Sequence, residues 1–179
     1  MSKQVEIRLT GSGGQGLILG GIILAEAALL DGKNAIQSQS YGPEARGGAS
    51  KAEVIISEHE IDFPKVEEAD LLLALTQVAC DKYAKTIKEG SILLVDSSVK
   101  IPESITPCKI IQIPILQTAA ETIGKPMVAN IVAIGAIQQL LNVVSKESLE
   151  SAVLSRVPKG TEDLNRRALS EGYRLVEKI

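Results

Sequence analysis

The first stretch of the chain alternates apolar and polar residues in the manner of a β-strand. Val5–Leu9 places Glu6 and Arg8 between apolar residues, so we expect one wetter face on this strand. A helix is predicted over Leu17–Leu30, and Gly32 follows at the position of a C-terminal cap. Because this helix is apolar around most of its circumference, it should be buried between a sheet and a second layer.

The same patterning predicts the remaining elements. Further strands are expected at about 35–39, 50–57, 71–75, 92–95 and 109–113, and further helices at about 76–88, 116–123, 128–144, 146–154 and 161–179. The segment between the second and third strands is too short for a parallel crossover, so these strands should be antiparallel neighbours. The second strand is expected beside the first. We therefore predict an α/β fold: one Rossmann-like domain over residues 1–179, with a mixed, mostly parallel sheet and a helical C-terminal tail.

Apolar content is high for a chain of this size. Hydrophobic residues make up 45% of the sequence and the mean hydropathy is +0.15. From Val128 to Ile137 the predicted helix 128–144 is apolar on every side apart from Asn130, and a sheet can cover only one side. Part of this helix, or of the Leu17–Leu30 helix, is therefore expected in a subunit interface, most simply that of a homodimer.

A glycine-rich loop joins the first strand to the first helix. Gly11, Gly13 and Gly16 have the G-x-G-x-x-G spacing in the strand-to-helix context that this motif requires. Such a loop can present backbone N–H groups to an anion or a carbonyl oxygen. The expected second strand ends in Gln39 and Ser40 without the acidic residue that would hold a dinucleotide ribose, which disfavours NAD. The glycines alone are equally compatible with tight packing.

The segment after the second strand should open on the same sheet edge as the glycine loop. Pro43 stiffens it, and Glu44 and Arg46 stand as opposite charges on its tip. One interpretation is a hairpin loop with a solvated ion pair. The other is that the planar guanidinium of Arg46 meets a carboxylate or phosphate.

Charge and cysteine content exclude several functions. The net charge is −3, and the 19 basic residues form no run, which disfavours nucleic-acid binding. We expect no membrane span and no signal peptide, hence a cytoplasmic protein. Cys80 and Cys108 form no C-x-x-C pattern, so no cluster or metal is predicted on this chain. His59 is interpreted as a surface residue, the turn at Asp96 as structural, and Asn130 as either a satisfied core group or an interface contact.

Two loops and two later segments carry a resemblance to a known family. The loops are Gly11-Ser12-Gly13-Gly14-Gln15-Gly16 and Ser40-Tyr41-Gly42-Pro43-Glu44-Ala45-Arg46-Gly47-Gly48, and the segments begin at Asn130 and Asn165. Together they resemble the gamma subunit of 2-oxoacid:ferredoxin oxidoreductases, and the likeness covers nearly the whole chain. The form of the second loop is more similar to the 2-oxoglutarate or branched-chain branch than to the pyruvate branch.

The resemblance implies an oxidoreductase complex in which this chain is one subunit. Thiamine diphosphate, Mg, [4Fe–4S] clusters and coenzyme A would act in the assembled enzyme, with alpha, beta and ferredoxin-like delta subunits as partners and ferredoxin as acceptor. The isolated chain would be inactive. Arg46 and Glu44 are the candidate catalytic residues, and the two loops are the candidate cofactor-binding segments. Two alternatives stay open: a purely structural docking subunit, and a stand-alone nucleotide-binding oxidoreductase.

Overall fold

A mixed sheet of six strands runs through the described part of the chain, residues 4–40 and 48–179 of a computed structural model. The strands are β1 (Gln4–Ser12), β2 (Asn34–Gln39), β3 (Ala49–Ser57), β4 (Ala69–Ala74), β5 (Ile87–Asp96) and β6 (Lys109–Ile113). Their order is β2-β3-β1-β4-β5-β6, and only β3 runs antiparallel to its neighbours. The predicted α/β class and mixed, mostly parallel sheet are confirmed.

The position of β2 differs from the prediction. β2 and β3 are antiparallel neighbours as expected, but β2 does not lie beside β1. β3 pairs with β1 along its full length, from Gln4 opposite Ser57 to Ser12 opposite Ala49. β3 is therefore inserted between the two, and β2 becomes the edge strand. Because β3 is antiparallel to both, β1 and β2 still end at the same edge of the sheet.

In the described part of the chain, six α-helices connect and cover the strands. They are α1 (Leu17–Leu30), α2 (Gln77–Tyr83), α3 (Ile115–Gln117), α4 (Ala129–Leu141), α5 (Lys146–Arg156) and α6 (Glu162–Glu177). α3 continues in wider turns over Thr118–Ile123, and a single turn, Pro126–Val128, precedes α4. The helix predicted to reach residue 88 is wrong beyond Tyr83. Ile87 pairs with Ala69 of β4, and Gly90, with a φ of 76°, lies in an irregular part of β5 instead of ending a helix.

Both faces of the sheet are covered. Ile7 and Leu9 of β1 belong to the larger core cluster, which also contains residues of α1 and α4. On the other face, Leu72 of β4 packs in a cluster with Cys80 and Tyr83 of α2. Arg8, expected on a wetter face, is only 5% exposed. Its guanidinium donates to Glu53, Thr86 and the Val66 carbonyl, and these partners make burial of the charge tolerable.

The prediction that part of α4 lies in a subunit interface rests on a wrong premise, because α6 of the same chain packs along α4. A Cβ added to Gly172 of α6 would lie 2.2 Å from the Val132 carbonyl oxygen, and one added to Gly135 of α4 would lie 2.6 Å from the Leu169 carbonyl oxygen. The two backbones therefore approach as closely as glycine allows. Every residue of α4 from Ala129 to Gln138 is buried within this one chain.

Candidate functional site

Several strand ends and helix beginnings meet at one edge of the sheet. β1, β4 and β5 end there, and α1 and α2 begin there. In open α/β sheets this carboxyl edge is where ligands bind. The glycine loop lies on this edge, with Gly13 and Gly14 exposed. The geometry therefore puts exposed glycine backbone at the expected place.

Two glycines of the loop adopt backbone angles that other residues avoid. Gly14 has a φ of 86°, and nothing would meet a Cβ added to it. Gly16 has a φ of 74° and forms the N-cap of α1, where its carbonyl accepts the first helical hydrogen bond, from the Gly20 N–H, at 3.0 Å. The left-handed conformation at both positions turns the chain from strand to helix within a few residues.

The side chain of Gln15 closes the loop on itself. Its Oε1 accepts a hydrogen bond from the Ser12 N–H at 2.8 Å. The same oxygen would lie 2.2 Å from a Cβ on Gly11, so glycine at that position makes room for it. One of the N–H groups expected to face a ligand is therefore occupied by the protein's own amide. The start of α1 offers the remaining positive end of a helix dipole, without a side-chain cap.

Asn130 fastens the glycine loop to α4. Its Nδ2 donates to the Gly16 carbonyl at 3.1 Å, and its Oδ1 accepts from the Ile131 N–H at 2.9 Å. The residue is 5% exposed and both ends of its amide are hydrogen-bonded, so the interpretation as a satisfied core group is confirmed. A side chain at Gly16 would collide with this amide, at 2.5 Å from Nδ2. The contact joins residues 114 positions apart, which no local pattern could reveal.

The second loop is described only at its two ends. The Ser40 N–H donates to the Lys51 carbonyl at 3.2 Å, and Gly48 precedes Ala49, which stands opposite Ser12 of the glycine loop. The chain thus leaves and re-enters the sheet on the edge where the glycine loop lies. Several candidate site residues lie outside the described residues: Tyr41, Gly42, Pro43, Glu44, Arg46 and Gly47.

The other polar residues at this edge serve the fold. Asp96, 3% exposed, accepts hydrogen bonds from the Ser98 N–H, the Ser98 hydroxyl and the Leu116 N–H. It therefore closes the turn after β5 and holds the start of α3, as a structural turn would. His59, further along the chain in the turn after β3, is exposed, as predicted.

The two thiols do not have the properties of cluster ligands. Burial raises the pKa of the Cys80 thiol, helped by the neighbouring Asp81 carboxylate, and burial also raises the pKa of Cys108. Ligation of iron requires the thiolate, which these environments disfavour. Within residues 4–40 and 48–179, no group of three or more His, Cys, Asp or Glu side chains could hold a metal ion. In the same ranges no helix is long and apolar enough to cross a membrane.

Three residues that shape the site were missed or only half recognised in the sequence. The capping role of Gln15 depends on a loop conformation that glycine spacing alone does not specify. The sequence shows Asn130 as a polar residue in an apolar helix, but it does not show that the Gly16 carbonyl is its partner. Asn165, 4% exposed in α6, donates to Thr161 and lines a cleft next to Asn130.

Comparison with known proteins gives consistent results for the whole chain. The family model described as pyruvate ferredoxin/flavodoxin oxidoreductase matches residues 6–175. A 2-oxoglutarate synthase subunit, KorC, of Methanocaldococcus jannaschii is 55% identical, over 97% of this chain and 95% of that protein.

Solved structures share the fold over nearly its full length. The gamma subunit of a keto/oxoacid ferredoxin oxidoreductase from Geobacter sulfurreducens is 52% identical with a TM-score of 0.90, and 98% of each chain is covered. The fold also recurs in the 2-oxoglutarate:ferredoxin oxidoreductase of Magnetococcus marinus, at 22% identity and a TM-score of 0.88, over 99% of this chain and 32% of that longer one. Both the family model and the close relatives span this chain, which therefore belongs to the pyruvate ferredoxin/flavodoxin oxidoreductase family.

Proposed function

We propose that this chain is the gamma subunit of a 2-oxoacid:ferredoxin oxidoreductase of the 2-oxoglutarate type. The observation that carries the proposal is the 55% identity to a 2-oxoglutarate synthase subunit over nearly the full length of both chains. The complex would decarboxylate a 2-oxoacid oxidatively, transfer the acyl group to coenzyme A and pass the electrons to ferredoxin.

The role we assign to this chain is to complete one wall of an active site formed mainly by its partner subunits, and to place a charged side chain there. The glycine loop and the two ends of the second loop share the carboxyl edge of the sheet, which supports this role. In the proposal, residues 40–48 complete the wall, Arg46 faces an anionic group of the substrate or coenzyme, and Glu44 supports Arg46. A guanidinium suits a carboxylate or phosphate because its N–H groups donate in parallel.

The remaining chemistry is assigned to partner subunits. Thiamine diphosphate, the electron sink for decarboxylation, would be held with Mg by the alpha and beta subunits, and the [4Fe–4S] clusters by partner chains, chiefly a ferredoxin-like delta subunit. The protonated thiols of Cys80 and Cys108 agree with that division. Both thiols are unpaired, which fits a complex in the reducing cytoplasm.

Self-association of the isolated chain stays a prediction, with a changed basis. α4 is covered by its own chain, but Leu29 and Leu30 at the end of α1 are 60% and 57% exposed. A homodimer of the isolated subunit would therefore use this end of α1.

Replacement of Arg46 tests the proposed role. In the reconstituted complex, Arg46→Ala should lower turnover by about 10- to 150-fold, since a charge-assisted hydrogen bond contributes about 1.5–3 kcal/mol. Assembly should be unchanged. Arg174→Ala is the matched control, because Arg174 lies on α6 and pairs only with Glu171 among the described residues. Wild-type turnover in the Arg46→Ala complex would instead favour the alternative of a docking subunit.

A nucleotide titration tests the other alternative. A stand-alone dehydrogenase should bind NAD(P) tightly, whereas β2 ends at Gln39, followed by Ser40, without a carboxylate for the ribose. We expect no calorimetric signal for NAD(P) binding to the isolated chain.

A further inference from the structure

An apolar cleft opens beside the glycine loop. It has a volume of about 200 Å³ and is walled by Leu19 of α1, Ile131 of α4 and Leu164 of α6. Met127 lies at the cleft with 77% of its surface exposed, the largest exposed fraction of any large apolar residue in the described ranges. Surface of this kind is costly to leave in water, so the cleft is a candidate for occupation.

Two buried side-chain amides line the cleft. Asn130 lines it and is tied to the glycine loop through Gly16. Asn165, 4% exposed, also lines it, and the hydrogen bonds recorded for its side chain use only the amide nitrogen, at 2.9 and 3.2 Å from the two oxygens of Thr161. Within residues 4–40 and 48–179 no donor reaches its carbonyl oxygen. A ligand with an N–H or O–H group could therefore be oriented there.

The size of the cleft favours a side chain over a cofactor or substrate. Pockets that enclose a small organic ligand have volumes of about 300–1,000 Å³ and bury most of the ligand. A cleft of about 200 Å³ is smaller, and it suits one large apolar side chain. Anchors of this kind dominate the binding energy of many protein interfaces.

The charges beside the cleft indicate the sign of the charge on the partner segment. Lys125 lies two positions before Met127, and Lys159 follows Pro158, which lines the cleft. Both lysines are exposed and form no ion pair in the described part of the chain. Of the nearby acids, Glu162 accepts from the Gly160 N–H and Asp163 pairs with Arg166. Glu162 keeps its negative charge, but Lys125 and Lys159 outnumber it, so these residues leave an excess of positive charge at the surface, which complements an acidic partner segment.

We propose that this apolar cleft receives one large apolar side chain of a partner subunit, carried on a segment with flanking acidic residues and a donor for the Asn165 carbonyl. The inference rests on the proposed function as a subunit of the complex.

The test is the retention of this chain in the assembled complex. The complex is purified through a tag on a partner subunit and diluted, and mass photometry measures the fraction of particles that keep this chain. Met127→Asp should weaken retention by about tenfold or more, since it puts a charge at the mouth of the cleft. Phe63→Asp is the matched control: Phe63 is 52% exposed, lies outside the cleft in the segment between β3 and β4, and should leave retention within about twofold of wild type.

A charge reversal tests the sign of the charge on the partner segment. Lys125→Glu combined with Lys159→Glu should slow association and reduce its dependence on salt. Lys65→Glu combined with Lys109→Glu makes the same change in net charge at exposed lysines outside the cleft. This control should leave the association rate and its salt dependence unchanged. Thermal unfolding of each isolated variant establishes that all of them are folded.

The outcomes separate this proposal from the proposed function. Wild-type retention of Met127→Asp would overturn the docking site while leaving the subunit role intact. Failure of the wild-type chain to join any partner subunits would overturn the subunit role itself. If Met127→Asp changed only the light-scattering mass of the isolated chain, the occupant would be a second copy, and the proposal would again be wrong.

Discussion

At the scale of single residues, Asp31 joins two helices that are far apart in the sequence. It caps the C-terminus of α1, and its carboxylate accepts hydrogen bonds from the Ser145 N–H at 2.6 Å, the Ser145 hydroxyl at 2.8 Å and the Ser148 hydroxyl at 2.5 Å. Burial alone would raise the pKa of Asp31, but these hydrogen bonds and the charge of Lys33 outweigh it and hold that pKa below its ordinary value.

Removal of this charge should lower stability in a pH-dependent way. We expect Asp31→Asn to reduce the free energy of unfolding by about 1–2 kcal/mol at neutral pH. Because the folded-state pKa is lowered, the wild-type advantage is complete above the unfolded-state value of about 4 and disappears as the pH falls through the folded-state pKa. Urea unfolding at pH 7 and near pH 3 measures this. Asp62→Asn, at an exposed position, is the control, and an equal loss in that variant would contradict the explanation.

Residues differ in how far the sequence alone could predict them. Ser145 is the N-cap of α5 and its hydroxyl accepts from the Ser148 N–H, a role that can be predicted from sequence because capping is a local preference. The partnership of the same serine with Asp31 spans 114 positions, and it was not predicted. Arg8 follows the same rule: its alternation with apolar residues was local and visible, whereas the Glu53 that neutralises it lies on another strand.

At the scale of elements, boundaries set by glycine or by capping residues were predictable and those set by tertiary pairing were not. α1 has the predicted bounds Leu17–Leu30, and β6 the predicted Lys109–Ile113. α2 ends well before its predicted end, since pairing of Ile87 with β4 overrides local helical preference. The insertion of β3 between β1 and β2 is a choice among strand orders that hydrophobic alternation does not distinguish.

The contact between α4 and α6 supplies a sharp test at this scale. Gly172→Ala would put a Cβ 2.2 Å from the Val132 carbonyl oxygen and 2.9 Å from the Ala136 nitrogen, both of them backbone atoms. The helices must separate, so we expect a loss of about 2–4 kcal/mol in the free energy of unfolding, despite the better helix propensity of alanine. Calorimetric or chemical unfolding measures this loss.

Gly20→Ala is the matched control for that substitution. Gly20 is also inside a helix, but the nearest atom to its added Cβ is a methyl group of Ile134 at 3.4 Å, an ordinary contact. This variant should be neutral or stabilised by up to about 1 kcal/mol. If Gly172→Ala behaved like Gly20→Ala, the close approach of α4 and α6 would be wrong.

At the scale of the whole molecule, the isolated chain should fold but carry no redox chemistry. Its two thiols have raised pKa values and lie apart in the sequence, so it lacks ligands for an iron–sulfur cluster. We expect the purified subunit to be colourless and to reduce no acceptor with any 2-oxoacid, whereas the assembled complex should absorb visible light and reduce an acceptor. A visible absorbance band that survives gel filtration of the subunit alone would contradict this.

The covering of α4 by α6 has a consequence for how the protein is made. Along the chain, α4 precedes α6, with the whole of α5 between them. While α4 has left the ribosome tunnel and α6 is still inside it, the apolar surface of α4 is uncovered. Chains that expose such surface aggregate or engage chaperones. A chain cut short after Val157, which lacks α6, should thus bind chaperones strongly, and a chain that includes α6 should not.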